Sequence, residues 1–116
     1  LSSPKLRASL KTIVHKIDLS FVCISYETKT IIDAAALIEK IDMVITPDTS
    51  IVHIASSFNK PVVSIHENNA KSFRLWAPKS SLNRTIFAKS NVGLHDFNVS
   101  EVVSSAIDIM NLLKGK

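Results

Sequence analysis

Residues 43–66 decide the fold class of this chain, and they read MVITPDTSIVHIASSFNKPVVSIH. Two apolar runs in this stretch, Met43–Thr46 and Pro61–His66, are too short for helices and do not alternate with polar residues, so each predicts a strand buried on both faces. A proline stops the first run, and the cap-type residues Asp48–Ser50 then predict the start of a short helix over Ile51–Phe58. Strand, helix and strand with short connections indicate a parallel α/β sheet.

The rest of the chain continues this alternation. Helical spacing and cap residues predict three further helices, over Ser2–Ile17, Thr30–Lys40 and Ser100–Lys114. Short apolar runs predict two further strands, Phe21–Ser25 and Arg84–Ala88, whereas Glu67–Ser81 has no clear period. The closing helix is predicted to present one apolar face, made of Val102, Val103, Ala106, Ile107, Met110 and Leu113. The predicted fold class is α/β with a parallel, Rossmann-like sheet.

Composition narrows the possible functions. The 116 residues include 14 Lys+Arg against 10 Asp+Glu, and 46% are hydrophobic, which predicts one globular domain over residues 1–116. The basic residues are scattered rather than clustered, so binding to nucleic acid is the least favoured interpretation. The presence of only two glycines, Gly93 and Gly115, excludes Gly-rich phosphate loops. The single cysteine, Cys23, cannot form an internal disulfide and indicates a reducing compartment. The Cys and His residues do not have the spacing of metal ligands, so no metal site is predicted. No apolar stretch is long enough to span a membrane.

Three loops follow predicted strands and form the candidate binding edge: Ser25–Lys29, Pro47–Ser50 and His66–Lys71. Ligands of open parallel sheets bind beyond the carboxyl ends of the strands, so we expect these loops to lie side by side. The second loop is the most informative, because it leads directly into the N-terminus of a helix. Unpaired backbone N–H groups and a partial positive charge at that position suit a phosphate.

Side chains at this helix start match the same chemistry. Thr49 and Ser50 supply hydroxyl donors, and His53 lies three residues beyond Ser50 on the same side of the first helical turn. Two alternatives remain open from spacing alone. Asp48, Thr49 or Ser50 could act only as helix caps, and His53 could be a structural residue.

The quoted stretch, with the Lys60–Pro61 pair opening its second strand, resembles the signature of the heptosyltransferases of glycosyltransferase family 9. That signature has a strand, Asp-Thr-Gly, about two residues, His-Leu-Ala, and a Lys/Arg-Pro pair before the next strand. The resemblance is strongest over Thr30–Ile65 and extends weakly from about Lys5 to Ser80. It implies the C-terminal, donor-binding half of a two-domain GT-B fold, of which this chain is an incomplete part. Members transfer heptose from ADP-heptose to the inner core of lipopolysaccharide, with inversion of configuration and without a metal ion or other cofactor.

The resemblance also implies roles for individual residues. It places Asp48 at the position that contacts the sugar of the donor. The helix start that holds the diphosphate corresponds to Thr49, Ser50 and His53. The loop that lines the adenine pocket corresponds to Thr28 and Lys29.

The chain departs from the family pattern at two points. Ser50 replaces a glycine, so a Cβ stands where the backbone approaches the phosphate. The segment His66–Asn69 replaces a turn that contains glycine, and within it Glu67 is expected to repel a diphosphate unless it faces a ribose.

Two parts of the family's machinery have no counterpart in this sequence. In the family, the general base is an aspartate of the N-terminal domain, and a lysine early in the C-terminal domain contacts the donor. We therefore expect that this chain alone does not transfer sugar, and that contacts with the lipopolysaccharide acceptor lie in the other domain. The expected location is cytoplasmic, with peripheral attachment of the full-length protein to the inner membrane left open.

Two further interpretations follow from these observations. A non-catalytic α/β binding or interaction module that has lost the donor site is the alternative to a glycosyltransferase. If earlier strands of the sheet are missing, Phe21–Ser25 presents an unpaired edge, which predicts self-association.

Overall fold

A computed structural model describes residues 4–17 and 19–115. The predicted N-cap at Ser2 or Ser3 lies outside these residues. The chain divides into two compact units with the boundary between Ala36 and Leu37, and each is described by itself. The elements are α1 (Arg7–Ile17), α2 (Ile31–Lys40), β1 (Val44–Pro47), α3 (Ser50–Ser57), β2 (Val62–His66), α4 (Ala70–Trp76), β3 (Asn83–Phe87) and α5 (Val99–Lys114). None of the described helices is long and apolar enough to cross a membrane.

In the first unit, a short 3-10 turn at Pro4–Leu6 leads into α1. The predicted strand at Phe21–Ser25 is wrong, because this segment has no regular secondary structure. The Arg7 guanidinium donates to the Ser25 carbonyl at 2.7 Å, and the side chain of Phe21 is 80% exposed rather than buried. The self-association hypothesis therefore loses the strand edge on which it rested.

Helix α2 begins with the reciprocal capping that its sequence predicts. The backbone N–H of Thr30 donates to Asp33 Oδ2 at 2.9 Å, and the N–H of Asp33 donates to the Thr30 hydroxyl at 3.2 Å. The Lys29 N–H also donates to Asp33 Oδ2, at 3.0 Å. These hydrogen bonds, those with Thr30 first, lower the pKa of Asp33 from its ordinary value of 3.8.

This cap is expected to weaken in acid. A carboxylate with a lowered pKa stabilises the folded state above its ordinary pKa, and that contribution is lost as the pH falls through the lowered value. In an NMR titration, the amide protons of Lys29 and Thr30 should therefore shift with a midpoint below 3.8. Thr30→Ala should raise the midpoint, and Asp33→Asn should abolish the transition. A midpoint at or above 3.8 in the unmodified chain would contradict the capping geometry.

The second unit contains a three-stranded parallel sheet in the order β1-β2-β3. Strand β2 is central, and all five of its residues are buried. Pro47 is tolerated as the last residue of β1 because the N–H groups of Val44 and Asp48 donate to β2 and its flank, so that the nitrogen of Pro47 faces away from β2. The prediction of an α/β fold with a parallel sheet is confirmed, and the sheet is compatible with part of a Rossmann-like domain.

Both faces of the sheet are covered, as the continuous apolar strands predict. On one face, buried residues of α2, β1, α3 and β2 form a cluster of Ile38, Val44, Ala55 and Val62. On the other face, β2, β3 and α5 contribute Val63, Ile86, Ala106 and Ile109. The neighbours Val62 and Val63 therefore belong to opposite faces, as alternation along a strand requires.

Helices α4 and α5 differ in part from the predictions. The predicted face of α5 is partly wrong, because Val102, Ala106, Ile109 and Leu113 pack on the sheet whereas Val103, Ile107 and Met110 are exposed. Helix α4 has no predicted counterpart, because its seven residues make only about two turns, too few to establish a helical period. It begins where the Asn69 side chain accepts from the Ser72 N–H at 3.1 Å, and it ends just before Pro78.

Candidate functional site

The candidate site lies at the carboxyl end of the sheet, where β1 turns into α3. The Asp48 N–H donates to the carbonyl of Ile65 at 2.9 Å, which holds the turn against the end of β2. The register pairs Pro47 with Ile65, and His66 with Phe87, so the three strands end together. This confirms that the polar residues after β1 and β2 share one edge of the sheet.

Thr49 is the N-cap of α3. Its hydroxyl accepts from the Ile51 N–H at 3.3 Å and lies 3.4 Å from the hydroxyl of Thr46. The capping interpretation therefore holds for this residue. Ser50 is the first residue of the helix and is exposed, so its hydroxyl remains accessible to a ligand.

His53 is exposed on the first turn of α3, on the same side as Ser50. Its ring meets that of Trp76, at the end of α4, edge to face with centroids 5.7 Å apart. This aromatic contact packs one part of the imidazole against the end of α4.

Asp48 contacts a buried histidine that the sequence does not single out. Its Oδ2 lies 3.4 Å from Nδ1 of His66; the side chain of His66 is 2% exposed and that of Asp48 is 28% exposed. The other ring nitrogen of His66, Nε2, lies 3.1 Å from the Ser64 hydroxyl, which in turn lies 3.3 Å from the hydroxyl of Thr85. Phe73 of α4 packs edge to face on His66 with a centroid distance of 5.1 Å.

Burial controls the protonation of His66. It lowers the pKa of this imidazole from its ordinary value of 6.5, and the nearby His53 lowers it further. The Asp48 carboxylate acts in the opposite direction without reversing the result. His66 is therefore neutral at pH 7, with one N–H and one acceptor nitrogen.

Ser64, His66 and Asp48 have the connectivity of a nucleophilic triad, but they do not form one. Ser64 is completely buried in the central strand, and its oxygen is already engaged by Thr85. An acyl substrate has no access to that oxygen, which excludes the nucleophilic chemistry of a hydrolase for these residues. Within the described ranges, no three His, Cys, Asp or Glu side chains cluster as metal ligands.

Comparison with known proteins identifies the family. The model of glycosyltransferase family 9 (heptosyltransferase) matches residues 4–97, which is most of the chain. The chain belongs to glycosyltransferase family 9. No curated protein and no solved structure matched it.

Glu67 lies in the segment that departs from the pattern of glycosyltransferase family 9, and its carboxylate is bound by a neighbouring loop. Oε1 of Glu67 accepts from the Gly93 N–H at 2.8 Å. Gly93 has a φ of +81°, a backbone conformation that favours glycine in this turn. The neighbouring Asn68 N–H also donates to the carbonyl of Ser90 in the same loop. The expected repulsion between Glu67 and a diphosphate stays a prediction.

The two residues matched to the adenine pocket of glycosyltransferase family 9 belong to the first unit. Thr28 is half-buried and Lys29 is exposed, in the extended segment before α2. The Lys29 backbone N–H donates to the cap of α2, and the residue is exposed to solvent. Their assignment to adenine stays a prediction.

Residues that the sequence did not assign complete the site. His66, Ser64 and Thr85 contact one another below Asp48, and Phe73 covers the ring of His66. The period of two along β2 already places Ser64 and His66 on one face of that strand. Their contact with Asp48 and with Thr85 depends on the register of the three strands, which the sequence alone does not supply.

Proposed function

We propose that this chain is the donor-binding part of a glycosyltransferase that transfers heptose from ADP-heptose to the inner core of lipopolysaccharide. The observation that supports this most is the placement of Asp48 and the start of α3 together at the carboxyl end of the parallel sheet. Membership of glycosyltransferase family 9 supports the reaction class. The donor and the acceptor are inferred from the family resemblance.

The start of α3 suits the diphosphate of the donor. The helix dipole favours negative charge at that end. The Ile51 and Val52 N–H groups already donate to the hydroxyl and the carbonyl of Thr49, so the dipole and the exposed side chains of the first turn carry this argument. Ser50 adds an exposed hydroxyl, and His53 adds an exposed ring N–H. These groups would stabilise the negative charge that develops on the leaving ADP, which is electrostatic catalysis without a metal ion.

Asp48 suits the sugar of the donor. An ionised carboxylate accepts hydrogen bonds only, and sugar hydroxyls donate them. Oδ2 of Asp48 faces His66, so we assign Oδ1 to a hydroxyl of the heptose. The general base and the acceptor contacts are assigned to the N-terminal domain of the family, so a test of this chain is a test of donor binding.

Calorimetric titration with ADP and with ADP-heptose tests the proposal. We expect millimolar or tighter binding of both ligands, and a loss of about 10-fold for each in His53→Ala, because a hydrogen bond to a charged phosphate is removed. His15→Ala is the matched control, since His15 is exposed on α1 and should leave both affinities unchanged. Absence of binding would favour the non-catalytic module. Binding of DNA or RNA with a steep salt dependence would indicate a nucleic-acid partner.

A further inference from the structure

Four polar side chains form a continuous line from β3 to the candidate site. The Thr85 and Ser64 hydroxyls lie 3.3 Å apart, Ser64 lies 3.1 Å from His66 Nε2, and His66 Nδ1 lies 3.4 Å from Asp48 Oδ2. All three strands are thereby linked, because Thr85 belongs to β3, Ser64 and His66 to β2, and Asp48 follows β1. His66 is buried in this line of contacts, and the proposed donor site gives it no role.

The chemistry of these groups gives the line a direction. Asp48 ends it as an ionised carboxylate, which only accepts, so the N–H of a neutral His66 belongs on Nδ1. Nε2 is then the acceptor nitrogen and accepts a hydrogen bond from the Ser64 hydroxyl. The oxygen of Ser64 in turn accepts from Thr85. The two buried residues, Ser64 and His66, are satisfied in this arrangement, as buried polar groups require.

The surroundings of His66 keep it in this state. Its titratable neighbours are Asp48, at the start of α3, and His53 on α3. The Phe73 ring of α4 packs on it edge to face, and its register partner on β3 is Phe87. An imidazole in these surroundings, with its pKa lowered by burial, does not become cationic at neutral pH.

We propose that His66 is a positioning residue for Asp48. Thr85 and Ser64 fix the tautomer of His66, its Nδ1–H holds Oδ2 of the carboxylate, and Oδ1 is thereby aimed at the donor sugar. The identity of the ligand in this inference rests on the proposed function. The direction of the hydrogen bonds from Thr85 through Ser64 and His66 to Asp48 does not. His66 does not touch the donor, because its side chain is almost completely buried.

The nitrogen NMR resonances of the His66 ring test the direction without any ligand. At neutral pH we expect Nδ1 to be protonated and Nε2 to be unprotonated. We also expect the titration midpoint of His66 to fall in Asp48→Asn, because the favourable carboxylate charge is lost while burial remains. Asp42→Asn is the control, since Asp42 is exposed before β1, at the opposite end of that strand. A protonated Nε2, or an unchanged midpoint in Asp48→Asn, would overturn the proposal.

A matched pair of variants tests the effect on ligand binding. His66→Phe removes the Nδ1–H, whereas His66→Asn places an amide N–H at the same distance from Cβ. We expect His66→Phe to weaken ADP-heptose binding about fivefold relative to ADP, and His66→Asn to restore most of this loss. Equal loss in the two variants would rule out positioning by Nδ1. If unmodified protein binds neither ligand while Nδ1 is protonated, the proposed function fails and the assigned direction stands.

Discussion

Asp48→Asn is expected to weaken the binding of ADP-heptose by about 10- to 100-fold, while ADP binds as tightly as before or slightly more tightly. Hydrogen bonds to a charged group contribute about 1.5–3 kcal/mol, which corresponds to this range of affinity. ADP has no heptose for the carboxylate to bind. Removing the negative charge beside the diphosphate also favours that ligand.

Calorimetry with both ligands measures this difference, and Asp42→Asn removes the same charge at the other end of β1 as a control. Hydrogen exchange shows whether the turn stays intact in Asp48→Asn. The backbone amide at this position donates to the Ile65 carbonyl, so it should be as protected from exchange in the variant as in the unmodified chain. Equal weakening of ADP and ADP-heptose would contradict the assignment of Asp48 to the sugar.

Ile109→Ala is expected to lower the free energy of unfolding by about 3 kcal/mol, whereas Ile107→Ala should change it by less than about 0.5 kcal/mol. Ile109 is 0% exposed and packs in the cluster with Val63, Ile86 and Ala106. Ile107, two residues earlier on the same helix, is 51% exposed. The same atoms are removed in both variants, so the difference reports the burial of each site.

Urea denaturation of the two variants measures these free energies. The pair also separates the two faces of α5, because the sequence pattern predicted Ile107 on the apolar face and the structure buries Ile109 instead. A larger loss for Ile107→Ala than for Ile109→Ala would mean that α5 packs through the predicted face.

Local signals account for the elements that sequence alone predicted. The continuous apolar runs of β1 and β2, the cap at Thr30 with Asp33, and the cap residues before α3 each depend on residues close together in the chain. The strand–turn–helix pattern, with its His and Ala at the spacing of the family signature, predicts the family. The match of the family model over residues 4–97 confirms it.

The errors occur where a local pattern has more than one use. Phe21–Ser25 is as apolar as a strand, yet a strand also needs a partner, and here the Ser25 carbonyl accepts from Arg7 instead. In α5, adjacent apolar stripes were available, and the packing of the sheet selected the one that contains Ile109. Helix α4 is too short for its period to be visible.

By itself, the sequence determined the parallel α/β class, the strand–turn–helix unit that presents Asp48, Ser50 and His53, and the family. These features depend on hydrophobic periodicity and on caps, which act over a few residues. Only the tertiary structure decided that Asp48 faces His66, that Ser64 and Thr85 lie behind it, and that Glu67 binds the loop at Gly93. Those contacts join separate strands and loops, so they depend on register and burial, which no local pattern encodes.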